Sequence, residues 1–160
     1  MITLRPVTHE DCTLLFKWAN DSKVRENSFS PNSIDLESHI KWYKHKINDK
    51  KTNIFIVLKD NVEVGQIRVD IENDKGFIDY SIDENYRGQG IGAEILQLIK
   101  MEITNVNLIG YVKKENIASI KAFKKTGYEK IEHDDFIEFV YKSNFNEVND
   151  EKNRNKSWWK

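Results

Sequence analysis

Cysteine is almost missing from this chain. Cys12 stands alone in 160 residues, so no internal disulfide can form and no cysteine-rich zinc site can be built. His9, His39, His45 and His133 lie too far apart to give a close-spaced ligand pair, and no metal is expected. No apolar run approaches the roughly 18 residues that a membrane helix needs, so no membrane partner is expected. Neither sign of charge dominates. The chain has 25 Lys and Arg against 26 Asp and Glu, a formal net charge of −1. That balance gives no global pull toward nucleic acid. Met1-Ile-Thr-Leu-Arg-Pro6 lacks the layout of a signal peptide, and a reduced, cytoplasmic setting is expected.

What is present is an ordinary globule with a busy surface. Hydrophobic residues make up 39% and charged residues 32%, and the length fits one domain with its own core. Ile2–Arg5 reads as a short edge strand ending at Pro6. Thr8 or Asp11 caps a first helix reaching about Asn20, with Leu14, Leu15 and Trp18 inward. Residues 22–32 read as a polar connection carrying Arg25, Phe29 and Pro31. Ser33 reads as the N-cap of a second helix to Ile47, with Leu36, Ile40, Trp42 or Tyr43, and Ile47 inward. Ile54–Leu58, Val62–Ile71 and Phe77–Asp83 follow as an antiparallel meander, joined by turns at Asp60-Asn61 and Asn73–Gly76. Helix 91–104, strand 107–112, helix 116–125 with Gly127 as its C-terminal cap, and a final strand 136–141 complete the order. This is an α/β (α+β) pattern: a mixed, mostly antiparallel sheet with helices on both faces. The unit 77–112 should be a right-handed parallel crossover. From Ser143 the composition turns to Asn, Asp, Glu and Lys, which reads as a loosely ordered tail, with Trp158 and Trp159 near its end.

The most informative stretch is Asp79-Tyr-Ser-Ile-Asp-Glu-Asn-Tyr-Arg-Gly-Gln-Gly-Ile-Gly92, a strand running into a glycine-dense turn that opens a helix. Glycines there free the backbone so that N–H groups point outward at the positive end of a helix, which suits a phosphate. No Gly-Lys-Ser/Thr follows, so it is not a nucleoside-triphosphate loop. Gly88, Gly90 and Ala93 superficially fit a dinucleotide fingerprint, but an antiparallel meander precedes them and the rest of the chain is too short for a second half. Arg87 adds donors for a diphosphate.

Tyr86-Arg87-Gly88-Gln89-Gly90-Ile91-Gly92 resembles the acetyl-CoA pyrophosphate loop of the GCN5-related N-acetyltransferases, with Arg87, Gly90 and Gly92 filling its pattern. Downstream, Asn116-Ile-Ala-Ser119-Ile-Lys-Ala-Phe123-Lys-Lys-Thr-Gly127-Tyr128 resembles the second helix motif of that family, in the right order. The element order over residues 1–142 is similar to the family's, which implies an acetyltransferase domain there and leaves the tail 143–160 outside it.

The resemblance implies a splayed strand pair, 77–83 and 107–112, with the pantetheine arm of acetyl-CoA between them. Backbone near Ile82 would pair with that arm. The N–H groups of Arg87, Gly88, Gln89, Gly90, Ile91 and Gly92 would hold the pyrophosphate, and Asn116, Ser119 and Phe123 would contact the cofactor. Many members place a tyrosine acid where this chain has Phe123, so the acid must lie elsewhere or be dispensable. Tyr128 and Tyr111 are candidates for it, each weighed against a merely packed tyrosine. Asp79 and Ser81 share a strand face and would relay the amine proton, against a structural or solvated role for Asp79. The catalytic candidates are thus Tyr128, Asn116 and Asp79. Arg25 is weighed as a substrate-anion ligand against a solvated cation, and His39 with Trp42 as packing.

The resemblance implies a primary amine as acceptor, expected to belong to a small molecule, with a protein or peptide N-terminus as the alternative. The stretches 16–25 and 34–42 resemble two subgroups, one acting on nucleotide-linked 4-amino sugars and one on ribosomal-protein N-termini. The Ile34-Asp-Leu-Glu-Ser-His39 run is closer to the sugar subgroup. A non-catalytic acetyl-CoA-binding module is the alternative from another class. A homodimer through sheet edges or the Trp-bearing tail fits the sequence without being required by it.

Overall fold

The computed structural model describes residues 1–143, so the tail with Trp158 and Trp159 lies outside the described residues. Among the described residues seven strands form one sheet in the order β1-β2-β3-β4-β5-β7-β6. They are β1 (Ile2–Pro6), β2 (Thr52–Lys59), β3 (Val62–Glu72), β4 (Lys75–Ile82), β5 (Asn107–Lys113), β6 (Glu129–Glu132) and β7 (Phe136–Tyr141). The helices are α1 (Cys12–Ala19), α2 (Ser22–Asn27), α3 (Leu36–Ile47), α4 (Ile91–Glu102) and α5 (Ile117–Lys125). The β2–β3 hairpin turns on Asp60 (φ 49°) and Asn61 (φ 68°), side chains that tolerate the left-handed region.

Cross-strand pairing sorts the sheet faces. Phe55 pairs with Ile67, and Ile67 with Tyr80; this face meets α4 and α5 in a core containing Val57, Ile67, Val69, Ile95, Ile99 and Phe123. Ile56 pairs with Gln66, and Gln66 with Ser81; Ile54 pairs with Arg68, and Arg68 with Asp79. On this opposite face Ile54 and Ile56 bury against Leu15, Trp18 and Tyr43 of α1 and α3. The apolar strand β2 is covered there, while its neighbours present Gln66, Arg68, Asp79 and Ser81. The change from apolar to polar on one sheet face marks where the helical layer stops.

Several local readings change. Residues 22–32 include α2, capped by Asp21, whose carboxylate accepts from Lys23 and Val24 N–H. Asp35 rather than Ser33 caps α3, accepting from Ser38 N–H. Leu36, the first residue of α3, is exposed, while His39 and Tyr43 are buried. β6, all exposed, adds an edge strand that hydrophobic alternation gave no hint of. Gly127 does take the left-handed cap conformation, at φ 79°.

Asp11 anchors the first turn. Its carboxylate accepts from both Arg5 Nη atoms, at 2.8 and 2.9 Å, and from Thr8 N–H at 2.8 Å. Arg5 holds the carboxyl below its usual range despite burial. A depressed acid contributes stability above its unfolded value, about pH 3.9, and loses it as pH falls through the folded value. Asp11→Ala is therefore expected to cost about 2 kcal/mol near neutrality and to flatten the acid limb of stability, measured by urea unfolding from pH 7 to pH 2.

Candidate active site

The decisive feature is a short pairing. β4 and β5 are parallel neighbours only from Lys75–Asn107 to Phe77–Ile109. Beyond that β4 stays with β3 as far as Ile82, and β5 stays with β7 as far as Lys113. The strands part because each follows its other neighbour. Their facing edges then carry backbone donors and acceptors not used by the sheet, which is what an extended amide-bearing ligand needs. A cleft of about 2000 Å³ runs through the opening, lined by β4, β5, the glycine turn and the first turns of α4 and α5 on one side, and by α2, α3 and the polar sheet face on the other. A single small ligand takes roughly 300–1,000 Å³, so this cleft has room for two reactants.

On one side lies an anion cradle. Gly88 (φ 77°) and Gly90 (φ 78°) are both left-handed, and a Cβ at either would meet nothing within 4 Å. Gly90 is the N-cap of α4, so the turn's N–H groups sit at the helix's positive end in open space. Gln89 is held by Lys59, which donates to Oε1 at 2.7 Å and brings a further cation to the turn. Asn116 caps α5 by accepting from Ser119 N–H at 3.3 Å, which leaves its Nδ2 protons for a ligand. Asn116, Ser119 and Phe123 all line the cleft.

Arg87 departs from its expected use. Nη2 pairs with Asp21 Oδ1 at 2.6 Å and Nε donates to the Ile82 carbonyl at 3.1 Å. Burial opposes ionisation of Asp21, but the bonds from Arg87, Val24 and Lys23 outweigh it and hold the carboxyl low. The guanidinium thus ties the turn to the cap of α2, and the Ile82 carbonyl already has a partner. Nearby, Trp18 Nε1 donates to Asp83 Oδ2 at 2.9 Å, fixing α1 to the end of β4. Arg25 is likewise built in, donating to the carbonyls of Ala19, Ser30 and Asn32.

Tyr128 is not at the cleft. It is buried and donates to the Leu96 carbonyl at 3.1 Å, and burial pushes its phenol far up. Proximity in sequence to Gly127 placed it near the motif, but its side chain turns under α4. Tyr111 does line the cleft, half exposed, between Phe77 and Phe136. Asp79 lies on the polar face with its side chain 58% exposed, 3.8 Å from Arg68 Nη1. Gln66 Nε2 donates to Ser81 Oγ at 3.2 Å and to Asp79 Oδ2 at 3.4 Å. Arg68 stacks over Trp42 at 5.0 Å and donates to Asp70 at 2.9 Å. His39 packs against Phe16, Trp42 and Tyr43 and donates from Nε2 to the Cys12 carbonyl at 3.0 Å; burial lowers its pKa. Gln66, Arg68 and Lys59 carried no motif in the sequence; the strand pairing reveals the first two and the bond to Gln89 the third.

A parted parallel pair, a glycine turn opening one helix and an amide-capped second helix surround a cleft that suits an extended, phosphate-bearing ligand facing a second reactant. Residues 1–129 match the acetyltransferase (GNAT) domain family, and the chain belongs to that family. Its fold is similar to that of a ribosomal L7/L12 α-N-protein acetyltransferase in complex with coenzyme A (TM-score 0.78, 16% identity, 90% of this chain and 95% of that one). It is also similar to an aminoglycoside acetyltransferase in complex with coenzyme A (TM-score 0.74, 18% identity, 92% and 98%). A spermidine N-acetyltransferase from Vibrio cholerae, in complex with CoA and spermine, gives TM-score 0.76 at 14% identity over 88% and 94%. An uncharacterised protein of Methanocaldococcus jannaschii is 26% identical over 155 residues, and the chain spans 31% of that relative's length. No helix of the described residues is long and apolar enough to cross a membrane.

Proposed function

We propose that the chain acetylates the amino group of a nucleotide-linked amino sugar. The observation that carries this reading is the make-up of the acceptor half of the cleft. Cations outnumber carboxylates in the cleft lining, seven Lys and Arg side chains, among them Lys23, Arg68 and Lys113, against Glu26, Asp79, Glu115 and Asp135. Phe29, Tyr111 and Phe136 give it a wall of rings in edge contact at 5.3 and 6.2 Å. A polycationic amine wants carboxylates; an anionic acceptor with planar and apolar parts suits cations and rings. The Ile34–His39 run supports the same subgroup.

Acetyl-CoA brings an acetyl group activated as a thioester, and the chain supplies position and polarity. The turn from Arg87 to Gly92 holds the diphosphate through backbone N–H groups. The free edges of β4, near Ile82, and of β5 hold the arm, and Asn116 and Ser119 fix it from α5. Asp79, supported by Gln66 and Ser81, accepts the proton that the amine must lose. Positioning supplies most of the acceleration, because both reactants meet at one gap in the sheet.

The test is thiol release from acetyl-CoA against a UDP-linked 4-amino-4,6-dideoxy sugar, N-terminal peptides, polyamines and aminoglycosides. Turnover with the nucleotide sugar alone is the expected result. Turnover with peptides only would move the chain to protein N-termini, and silence across the panel with intact CoA binding would leave a binding module. The domain that performs this is proposed to be residues 1–142.

A further inference from the structure

Acetyl transfer forms an N–C bond and breaks the C–S bond, whose electron pair stays on sulfur. That sulfur needs a proton or a close donor. Phe123 has none, and the Tyr128 hydroxyl is bound to the Leu96 carbonyl. Two phenols remain on the cleft among the described residues, Tyr111 and Tyr80. Tyr111 lies on the far side, packed between Phe77 and Phe136.

Tyr80 lies where the donor enters. It sits on β4 three residues past Phe77, the last residue paired with β5, so it borders the gap. Strand alternation turns it away from Asp79 and Ser81, toward α4 and α5. Its Oη is 2.7 Å from Ser119 Oγ and 3.5 Å from the place of a Cβ on Gly92. Its ring meets Phe123 edge-on, 6.1 Å between centroids. The hydroxyl is therefore fenced by the first turns of both helices that hold the donor, beside the side chain that fills the usual position of the acid.

Resting on the acetyl-transfer reading, we propose that Tyr80 is the general acid of this enzyme, reaching the departing sulfur from β4 in place of a tyrosine on α5. The Tyr80 proton passes to sulfur, and Ser119 Oγ stabilises the phenolate until a proton returns from the amine side through solvent. Burial pushes the Tyr80 phenol up, more than the Ser119 bond lowers it, so the hydroxyl carries its proton at neutral pH.

Tyr80→Phe keeps the ring packing and removes one oxygen. Its kcat is expected to fall about 10²–10⁴-fold, with the KM for acetyl-CoA changed less than about threefold. A second readout needs no turnover: the thiol of bound CoA, titrated by thiolate absorbance. A phenol donor favours the thiolate, so the bound thiol should titrate about one pH unit or more higher in Tyr80→Phe than in the parent. Tyr111→Phe should leave that titration unmoved. An unmoved thiol in Tyr80→Phe, or an equal shift in Tyr111→Phe, would overturn the assignment. If the parent acetylated no amine, the reading of the function would fail, while the thiol titration would still decide the place of Tyr80.

Discussion

Gly90→Val is expected to raise the Kd for CoA and the KM for acetyl-CoA at least about tenfold while the domain still folds. Gly90 sits at φ 78°, and a Cβ there would meet no atom within 4 Å. The added Cβ thus makes no clash in the free protein. Its whole cost lies in the backbone, about 1–2 kcal/mol for a branched side chain held in the left-handed region. The chain escapes that cost by rotating φ, and rotation swings the N–H groups of the turn away from the anion. A tenfold loss corresponds to about 1.4 kcal/mol, the scale of the strain itself. Gly92→Ala is the control. Gly92 is already helical, its Cβ would lie 3.5 Å from Ile82 and Tyr80, and alanine favours the helix. It should bind CoA almost as the parent does. Calorimetric titration of CoA compares the two, and equal affinity for Gly90→Val and the parent would remove the turn from the diphosphate site.

The donor side of this cleft is legible in the sequence because its parts are local. A glycine turn needs only neighbours in the chain, so spacing points to Gly88 and Gly90, while Asn116 and Ser119 follow from the resemblance of their helix to the family motif. The run β2-β3-β4-β5 follows as readily, because the meander and the crossover each join consecutive segments. What spacing cannot show is where a long side chain ends. Arg87 stands in the motif, yet its guanidinium crosses to Asp21, a residue 66 positions away whose role follows from capping α2. Tyr128 stands next to the motif glycine, yet its hydroxyl finds the free carbonyl of Leu96. Gln66 and Tyr80 reach the cleft only through the register of β3 on β4, which fixes the face each presents. The missed α2 was signalled by Asp21 before a helix-tolerant stretch, a cue masked by the polarity of its six residues. The acceptor side is assembled from five elements, and for that reason its chemistry is the part that the sequence describes least.

Gly110→Ala should damage both stability and CoA binding, although it adds one methyl group. Its Cβ would fall 2.3 Å from Phe123 Cζ and 2.8 Å from Cε1. A ring at the end of a loose side chain would swing aside. Phe123 has no such freedom, being stacked on Phe139 at 4.9 Å and met edge-on by Tyr128 at 5.0 Å and Tyr80 at 6.1 Å. The strand cannot yield either, because β5 is paired along β7 through Gly110–Phe139. The methyl is accommodated only by moving α5 outward. Overpacking of this kind costs about 1–3 kcal/mol, and the rigid ring cluster puts this case at the upper end. The moved helix carries Asn116 and Ser119, so the donor site loses its second wall in the same displacement. Thermal melts and CoA titration should therefore fall together. Phe123→Leu frees the space that the new methyl needs, so the double variant should be more stable than the sum of the single losses by about 1 kcal/mol or more. Strict additivity would mean that Gly110 is not held small by Phe123, and that the packing of α5 against β5 does not set the width of the gap.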